Sequence, residues 1–308
     1  MDSTSASPKK KQLFKMKRNT EQNLAGYTMI FPSLLSFAVF TVFGIILSVY
    51  LSFTDWSMLR GLENANWVGF KNFTDAVGDM YVRSSIKNNV ILLIALPITL
   101  LLAMIFATIF NKSIYGKAGA RALFFLPYVT NIVAVATVWR ALFHPSQGPI
   151  NMLLHTLGIP MESLPGWFGS SKWAIWGIVL ITIWQTLGYD VVLYTGGLQS
   201  IPNELYEAAS LDGAGPITQF FKITLPQLAP TTFLLTILGV IGSLQTWTFM
   251  QICSGPGTST YTLGLYIYNS AFKNNRAGFA CALAWMLALV IFVFTIIRMR
   301  YEKKFSVD

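Results

Sequence analysis

The 308-residue chain is 54% hydrophobic and 14% aromatic, with only 11% charged side chains and a formal net charge of +9. Its mean hydropathy is +0.54. A soluble domain carries roughly 25% charge, so this composition excludes a disordered chain and argues against an ordinary soluble enzyme. Charge-free runs of about 20 residues, enough to cross a hydrocarbon layer about 30 Å thick, point instead to an all-α polytopic membrane protein.

In chain order, residues 1–24 form a basic, Ser/Lys-rich stretch expected to be a disordered cytoplasmic tail in contact with anionic lipid. The first span runs from about Tyr27 to Phe53. It is longer than the apolar region of a signal peptide and no A-x-A site follows, so it is expected to be an anchor. The second span lies between Lys87 and Lys112, the third between Arg121 and Arg140, and the fourth from after Lys172 to about Gly197, interrupted only by Asp190. The fifth covers roughly Thr231 to Met250 and the sixth fills the interval from Arg276 to Arg298, leaving a basic tail at 299–308. Residues 25–298 thus make a six-span domain. Pro97 and Pro127 fall inside spans, where neighbouring helices can re-satisfy freed carbonyls.

With the N-terminus inside, fourteen Lys and Arg fall on inner segments and eight on outer ones, which places both termini in the cytoplasm. Trp56, Trp67, Trp167 and Trp173 in the outer loops fit an interfacial aromatic belt. Cys253 and Cys281 lack metal-ligand spacing, and with two histidines in the chain no metal site is expected. In a membrane protein the positive charge reflects basic cytoplasmic loops rather than nucleic-acid binding.

The inner loop before the fifth span is the most informative segment. Pro202 and the acids Glu204 and Glu207 suit a helix N-terminus, good helix formers follow to Leu211, and Gly213 and Gly215 stop the helix. Pro216 opens a second helix with Phe220, Phe221 and Leu225 as its apolar stripe, and Pro226 limits it. Small Ala208 and Ala209 would let another protein approach the backbone, with Glu207 free to meet a basic group. On the residues alone, a docking helix and a connector lying on the membrane surface are equally compatible with this pattern.

Within that loop, Glu207-Ala208-Ala209, Gly213, Ile223, Leu225 and Pro226 occupy every position of E-A-A-x3-G-x9-I-x-L-P. The segment 201–226 resembles the EAA loop of binding-protein-dependent ABC importer permeases. The surrounding residues (Leu205-Tyr206, Asp212, Ala214) are most similar to the carbohydrate branch, the maltose and glycerol-3-phosphate type. The resemblance runs from about Ala25 to the C-terminus. It includes Trp56 and Gly69-Phe70 in the first outer loop, though Gly255-Pro256-Gly257 departs from the usual Gly-Gly-Pro. The maltose-type protein's extra spans and large outer domain are lacking.

The resemblance implies type I importer architecture and a location in the bacterial cytoplasmic membrane. It also implies a second homologous permease forming a heterodimer, two ATPase subunits that carry ATP and Mg, and an extracytoplasmic solute-binding protein. Glu207, Ala208, Ala209, Gly213, Ile223, Leu225 and Pro226 would then couple the permease to the ATPase. The chain has no G-x-x-x-x-G-K-[ST], so it is expected to hold no nucleotide and to be a transport subunit without catalytic residues.

Polar side chains within a bilayer require a partner or a cavity. Span four holds Gln185, Tyr189 and Asp190, and span five holds Ser243, Gln245, Thr246 and Trp247. Aromatic rings with adjacent amides and hydroxyls suit a sugar path, and the resemblance places solute contacts on these two spans. Bonding between helices is the competing role, and it is the one expected of Thr130 and Asn131. The rival function is an ion- or proton-coupled secondary transporter acting alone, for which Asp190 is the single intramembrane acid.

Overall fold

The computed structural model describes residues 23–111 and 117–305. Most of the expected N-terminal tail, together with Lys112, lies outside the described residues. In chain order the helices are α1 (Asn23–Ser52), α2 (Lys71–Gly78), α3 (Met80–Asn111), α4 (Lys117–Val129), α5 (Ile132–Leu142) and α6 (Pro149–Thr156). They continue as α7 (Ala174–Gln199), α8 (Asn203–Leu211), α9 (216–227), α10 (Ala229–Ile252), α11 (Leu263–Tyr268, prolonged by a wider turn over Asn269–Lys273) and α12 (Ala277–Phe305). Among the described residues the β structure is one isolated bridge, Thr54 to Trp67.

Five of these helices, α1, α3, α7, α10 and the Ala277–Arg300 part of α12, are long and apolar enough to cross a membrane. The third span, expected between Arg121 and Arg140, is a bent pair: α4 and α5 meet at 94°. Pro127 cannot donate to the carbonyl four residues back, and the chain turns just beyond it. Asn131 then caps α5, its Oδ1 accepting Val133 N at 2.9 Å and Ala134 N at 3.2 Å. Thr130 Oγ1 donates to Leu126 O. Both residues therefore serve their own chain direction, and neither is the interhelical bond expected from sequence.

Two other spans are interrupted. In α3 the turn tightens at Leu93–Ile94, where Ile94 N donates to Ile91 O and Leu96 N to Leu93 O, because Pro97 supplies no N–H to that last carbonyl. In α10 the helix opens at Thr246, which adopts extended geometry before Trp247. The broken backbone is repaired by side chains: Asn89 Nδ2 donates to Ser243 O, Thr262 Oγ1 to Thr246 O, and Asn89 Oδ1 accepts Leu263 N.

The cationic residues bracketing the bent span cap other helices. Arg121 Nη2 donates to Phe110 O at 2.7 Å near the end of α3, and Arg140 Nη1 to Ile252 O at 2.9 Å at the end of α10. At the end of the bundle opposite α8 and α9, the loops are folded elements. Asn151 Nδ2 bonds Pro145 O and Pro165 O, and Asn151 Oδ1 accepts Trp167 Nε1 at 2.7 Å. Trp167 is only 7% exposed, so it anchors this loop and is not part of an interfacial belt. In the first of these loops, Asn66 donates from its backbone and side chain to the Asp55 carboxyl and holds it below the usual carboxylate range.

In lipid the hydrophobic effect does not drive helices together, so close packing must. One apolar cluster joins α3, α5, α7 and α10 toward the 143–173 loop, and a second joins α3, α7 and α10 to the base of the 201–228 segment. The tightest approach is at Gly188 of α7, where a Cβ would meet Phe124 O of α4 well inside contact distance. By contrast α1 packs on α12, with Trp285 Nε1 donating to Ser48 Oγ, and is almost wholly exposed within this chain.

Replacing Gly188 by Leu is expected to force α4 from α7 and cost about 1–3 kcal/mol or more. Gly196→Ala, at an open position of the same helix, should leave stability unchanged or slightly raised. Thermal unfolding of the detergent-purified chain distinguishes the two.

Candidate functional site

A cavity of about 360 Å³ opens between α3, α4, α5, α7 and α10. Helical spacing explains its composition. Thr182, Gln185, Thr186 and Tyr189 recur at three- and four-residue intervals and share one face of α7, as do Leu235, Leu238, Gly239, Gly242, Ser243 and Thr246 on α10. The three interrupted helices contribute where they are broken: Ala95, Leu96 and Thr99 just past the α3 turn, Tyr128 and Ile132 on either side of the bend, and Thr246 at the α10 opening. Irregular backbone at membrane depth is tolerated where it lines a cavity.

Tyr128 and Tyr189 stack with ring centroids 4.5 Å apart and planes 18° from parallel, forming a double aromatic wall. Thr182 and Thr186 spend their hydroxyl protons on α7 carbonyls but keep lone pairs for a guest. The side chains of Gln185, Tyr189, Asp190 and Ser243 have no hydrogen-bond partner among the described residues. Such a set can hydrogen-bond hydroxyls while the paired rings cover a C–H surface.

Of the seven path residues expected from sequence, Gln185, Tyr189, Asp190, Ser243 and Thr246 meet here. Gln245 and Trp247 do not. They face a separate cavity of about 550 Å³ toward α11 and α12, where Trp247 stacks on Tyr268 at 4.4 Å. Gln245, two residues beyond Ser243, lies on the opposite face of the helix, and the opening at Thr246 turns Trp247 away as well. The lining residues that sequence reasoning overlooked are chiefly Thr182 and Thr186, which the spacing from Gln185 would have revealed, and Tyr128, which only the bend brings in.

The second element is the helix–turn–helix at the other end of α7. Here α8 ends in a Schellman turn: Ala214 N donates to Ala209 O at 2.8 Å and Gly213 N to Ser210 O at 3.1 Å. Gly213 has φ +78°, with open space where a Cβ would stand. Backbone conformation, not crowding, demands glycine there. Pro202 is the residue before the first turn of α8. Pro226 does not end α9, because a wider turn over Phe220–Thr224, with Leu225 N donating to Phe220 O, accommodates the proline that follows it.

The expected apolar stripe divides. Phe220 and Ile223 pack, with Tyr206, on the cluster that includes Ile201, Leu228, Tyr194 and Tyr189. Phe221 and Leu225 lie on the other side and are exposed. Tyr206 Oη and Thr224 Oγ1 lie 3.0 Å apart and Gln219 Nε2 donates to Ser210 Oγ, so the two arms hold each other. Glu207, Ala208 and Gly213 are exposed, Ala209 is half-buried, and Glu204 and Asp212 add to an acidic free surface. No cluster of three or more His, Cys, Asp or Glu suited to a metal is found among the described residues.

The family described as the binding-protein-dependent transport system inner membrane component matches residues 81–307. The chain belongs to this family. The probable ABC transporter permease protein YesP of Bacillus subtilis (strain 168) is 35% identical to this permease over 284 residues, covering 90% of each chain. The multiple sugar-binding transport system permease protein MsmF of Streptococcus mutans is 30% identical over 285 residues, covering 92% of this chain and 96% of the relative. In fold, the permease is similar to a chain from a crystal structure of a bacterial ABC transporter involved in the import of the acidic polysaccharide alginate. That likeness has a TM-score of 0.82 at 21% identity and covers 95% of this chain and 100% of the other. The chain is therefore an inner-membrane permease subunit of an ABC transporter, whose ATPase is a separate subunit.

Gly213→Ala should weaken the α8 turn by about 1–2 kcal/mol, seen as faster hydrogen exchange at the Gly213 and Ala214 amides. Gly215, which has extended backbone and open surroundings, should tolerate alanine without that change.

Proposed function

We propose that this chain is one permease of a sugar importer. It would pair with a second, homologous permease, two ATPase subunits binding ATP and Mg, and an extracytoplasmic solute-binding protein. The sugar class is supported by relatives named for multiple sugars, diacetylchitobiose and arabinooligosaccharides, and by the aromatic and hydrogen-bonding lining of the cavity. The comparisons give no support to an ion- or proton-coupled transporter. The basic segments favour both termini, and the 201–226 loop, on the cytoplasmic side.

The observation that carries the mechanism is the continuity between lever and cavity. Helix α7 runs unbroken from the cavity wall at Thr182–Asp190 to the root of the loop, and Tyr206, Phe220 and Ile223 of the loop share one cluster with Tyr189 and Tyr194. A push on α8 is thereby transmitted through packed side chains to both α7 and α10. In this proposal Ala208 and Ala209 admit the ATPase surface close to the helix, Glu207 pairs with a basic group there, and Gly213 sets the angle between the arms. Ile223 roots the lever in the bundle, while Leu225 and Pro226 join it to α10. Closure of the ATPase pair then becomes alternation of the spans around the solute.

In the assembled importer, Glu207→Lys should leave membrane insertion normal but place like charges across the contact. Solute-dependent ATP hydrolysis and uptake should each fall roughly tenfold or more. Unchanged uptake together with unchanged co-purification of the ATPase would overturn the assignment.

A further inference from the structure

Two carboxylates outside the membrane, Asp79 and Asp55, are held by hydrogen bonds within the chain. Asp79 accepts Tyr81 N, Val82 N and the Tyr266 hydroxyl, and Asp55 accepts two bonds from Asn66. Both are occupied by the fold. Asp190 lies within a membrane-spanning helix, is only 7% exposed, and lines the cavity of about 360 Å³, yet it has no hydrogen-bond partner among the described residues. No Lys, Arg or His appears among the residues lining that cavity. A buried carboxylate is costly unless something pairs with it, and the cavity is the side from which a pairing group can arrive.

We propose that Asp190 is the charge filter of the solute path. Its carboxylate takes hydrogen-bond donors from the passing sugar, either a neighbouring pair of hydroxyls or an ammonium, and rejects sugar units that carry an acid group. Gln185, five residues earlier on α7 and lining the same cavity, supplies an amide that can donate or accept, and the Tyr128–Tyr189 pair covers the ring face. In its ionised form Asp190 repels a second anion strongly at such depth, where water does little to screen it. With no cation in the lining to offset that repulsion, an acidic saccharide meets a site of the wrong sign. This inference rests on the sugar path proposed above and names the charge class of its solute.

The test is equilibrium binding to the complete importer in nanodiscs, without its binding protein. The probes are panels of uncharged, amino-sugar and uronic-acid oligosaccharides of the same chain lengths. The expected result is that the uncharged or the amino panel binds at least roughly tenfold more tightly than the uronic-acid panel. Asp190→Asn should abolish that preference and Asp190→Glu should keep it, a pattern that a merely structural role would not produce. Whichever of the two accepted panels loses more affinity in Asp190→Asn identifies the donor as hydroxyl or ammonium. Uronic-acid saccharides binding as well as the others to the unmodified importer would overturn the filter while leaving the sugar path intact, and would do so even if the variants fail to fold. Absence of binding by every panel would overturn the sugar path and the filter with it.

Discussion

A backbone amide or carbonyl left unpaired in hydrocarbon costs several kcal/mol, and this constraint governs the architecture of the chain. It makes each span a helix, and it requires every interruption to be repaired locally. The three repairs found here use Asn131 as a cap, Asn89 and Thr262 across the opened end of α10, and a tightened turn ahead of Pro97. All three breaks border the same cavity. Proline, asparagine and threonine at membrane depth are therefore part of how the cavity is built.

The same reasoning links the two functional elements. An unbroken α7 stands between them, tight against α4 at Gly188 and against the loop at Tyr194 and Leu198. Where the other spans around the cavity bend or open, α7 does not, so it can act as the rod of the lever. The 201–228 segment is held to that rod by Tyr206, Phe220 and Ile223 while its acidic, alanine-bearing surface stays free. A coupling element needs both properties, rigid attachment inward and an open face outward.

The two sides of α10 show how local geometry divides chemistry. Ser243 and Thr246 join the hydroxyl-rich cavity, whereas Gln245 and Trp247 turn toward α11 and α12, where Trp247 lies against Tyr268. Gln245 is two residues beyond Ser243 and so on the other face of the helix, while the departure from helical geometry at Thr246 turns Trp247 away. A similar departure at Thr130–Asn131 brings Tyr128 over Tyr189, supplying an aromatic wall that a straight third span would have placed elsewhere.

From composition and run length alone, the sequence determines an all-α membrane protein with its spans near their observed positions, because the cost of burying charge in lipid acts residue by residue. It also determines the helix–turn–helix of the 201–226 loop, since the positive φ at Gly213 and the helix-starting prolines are local requirements. The shared face of Gln185 and Tyr189 follows from spacing within one helix. What only the tertiary structure decides is which faces meet. The 94° bend between α4 and α5, the turning of Trp247 onto Tyr268, and the burial of Trp167 against Asn151 are set by breaks and contacts outside any one helix. Periodicity reports the faces of one helix at a time, and a break in the helix redirects every face beyond it.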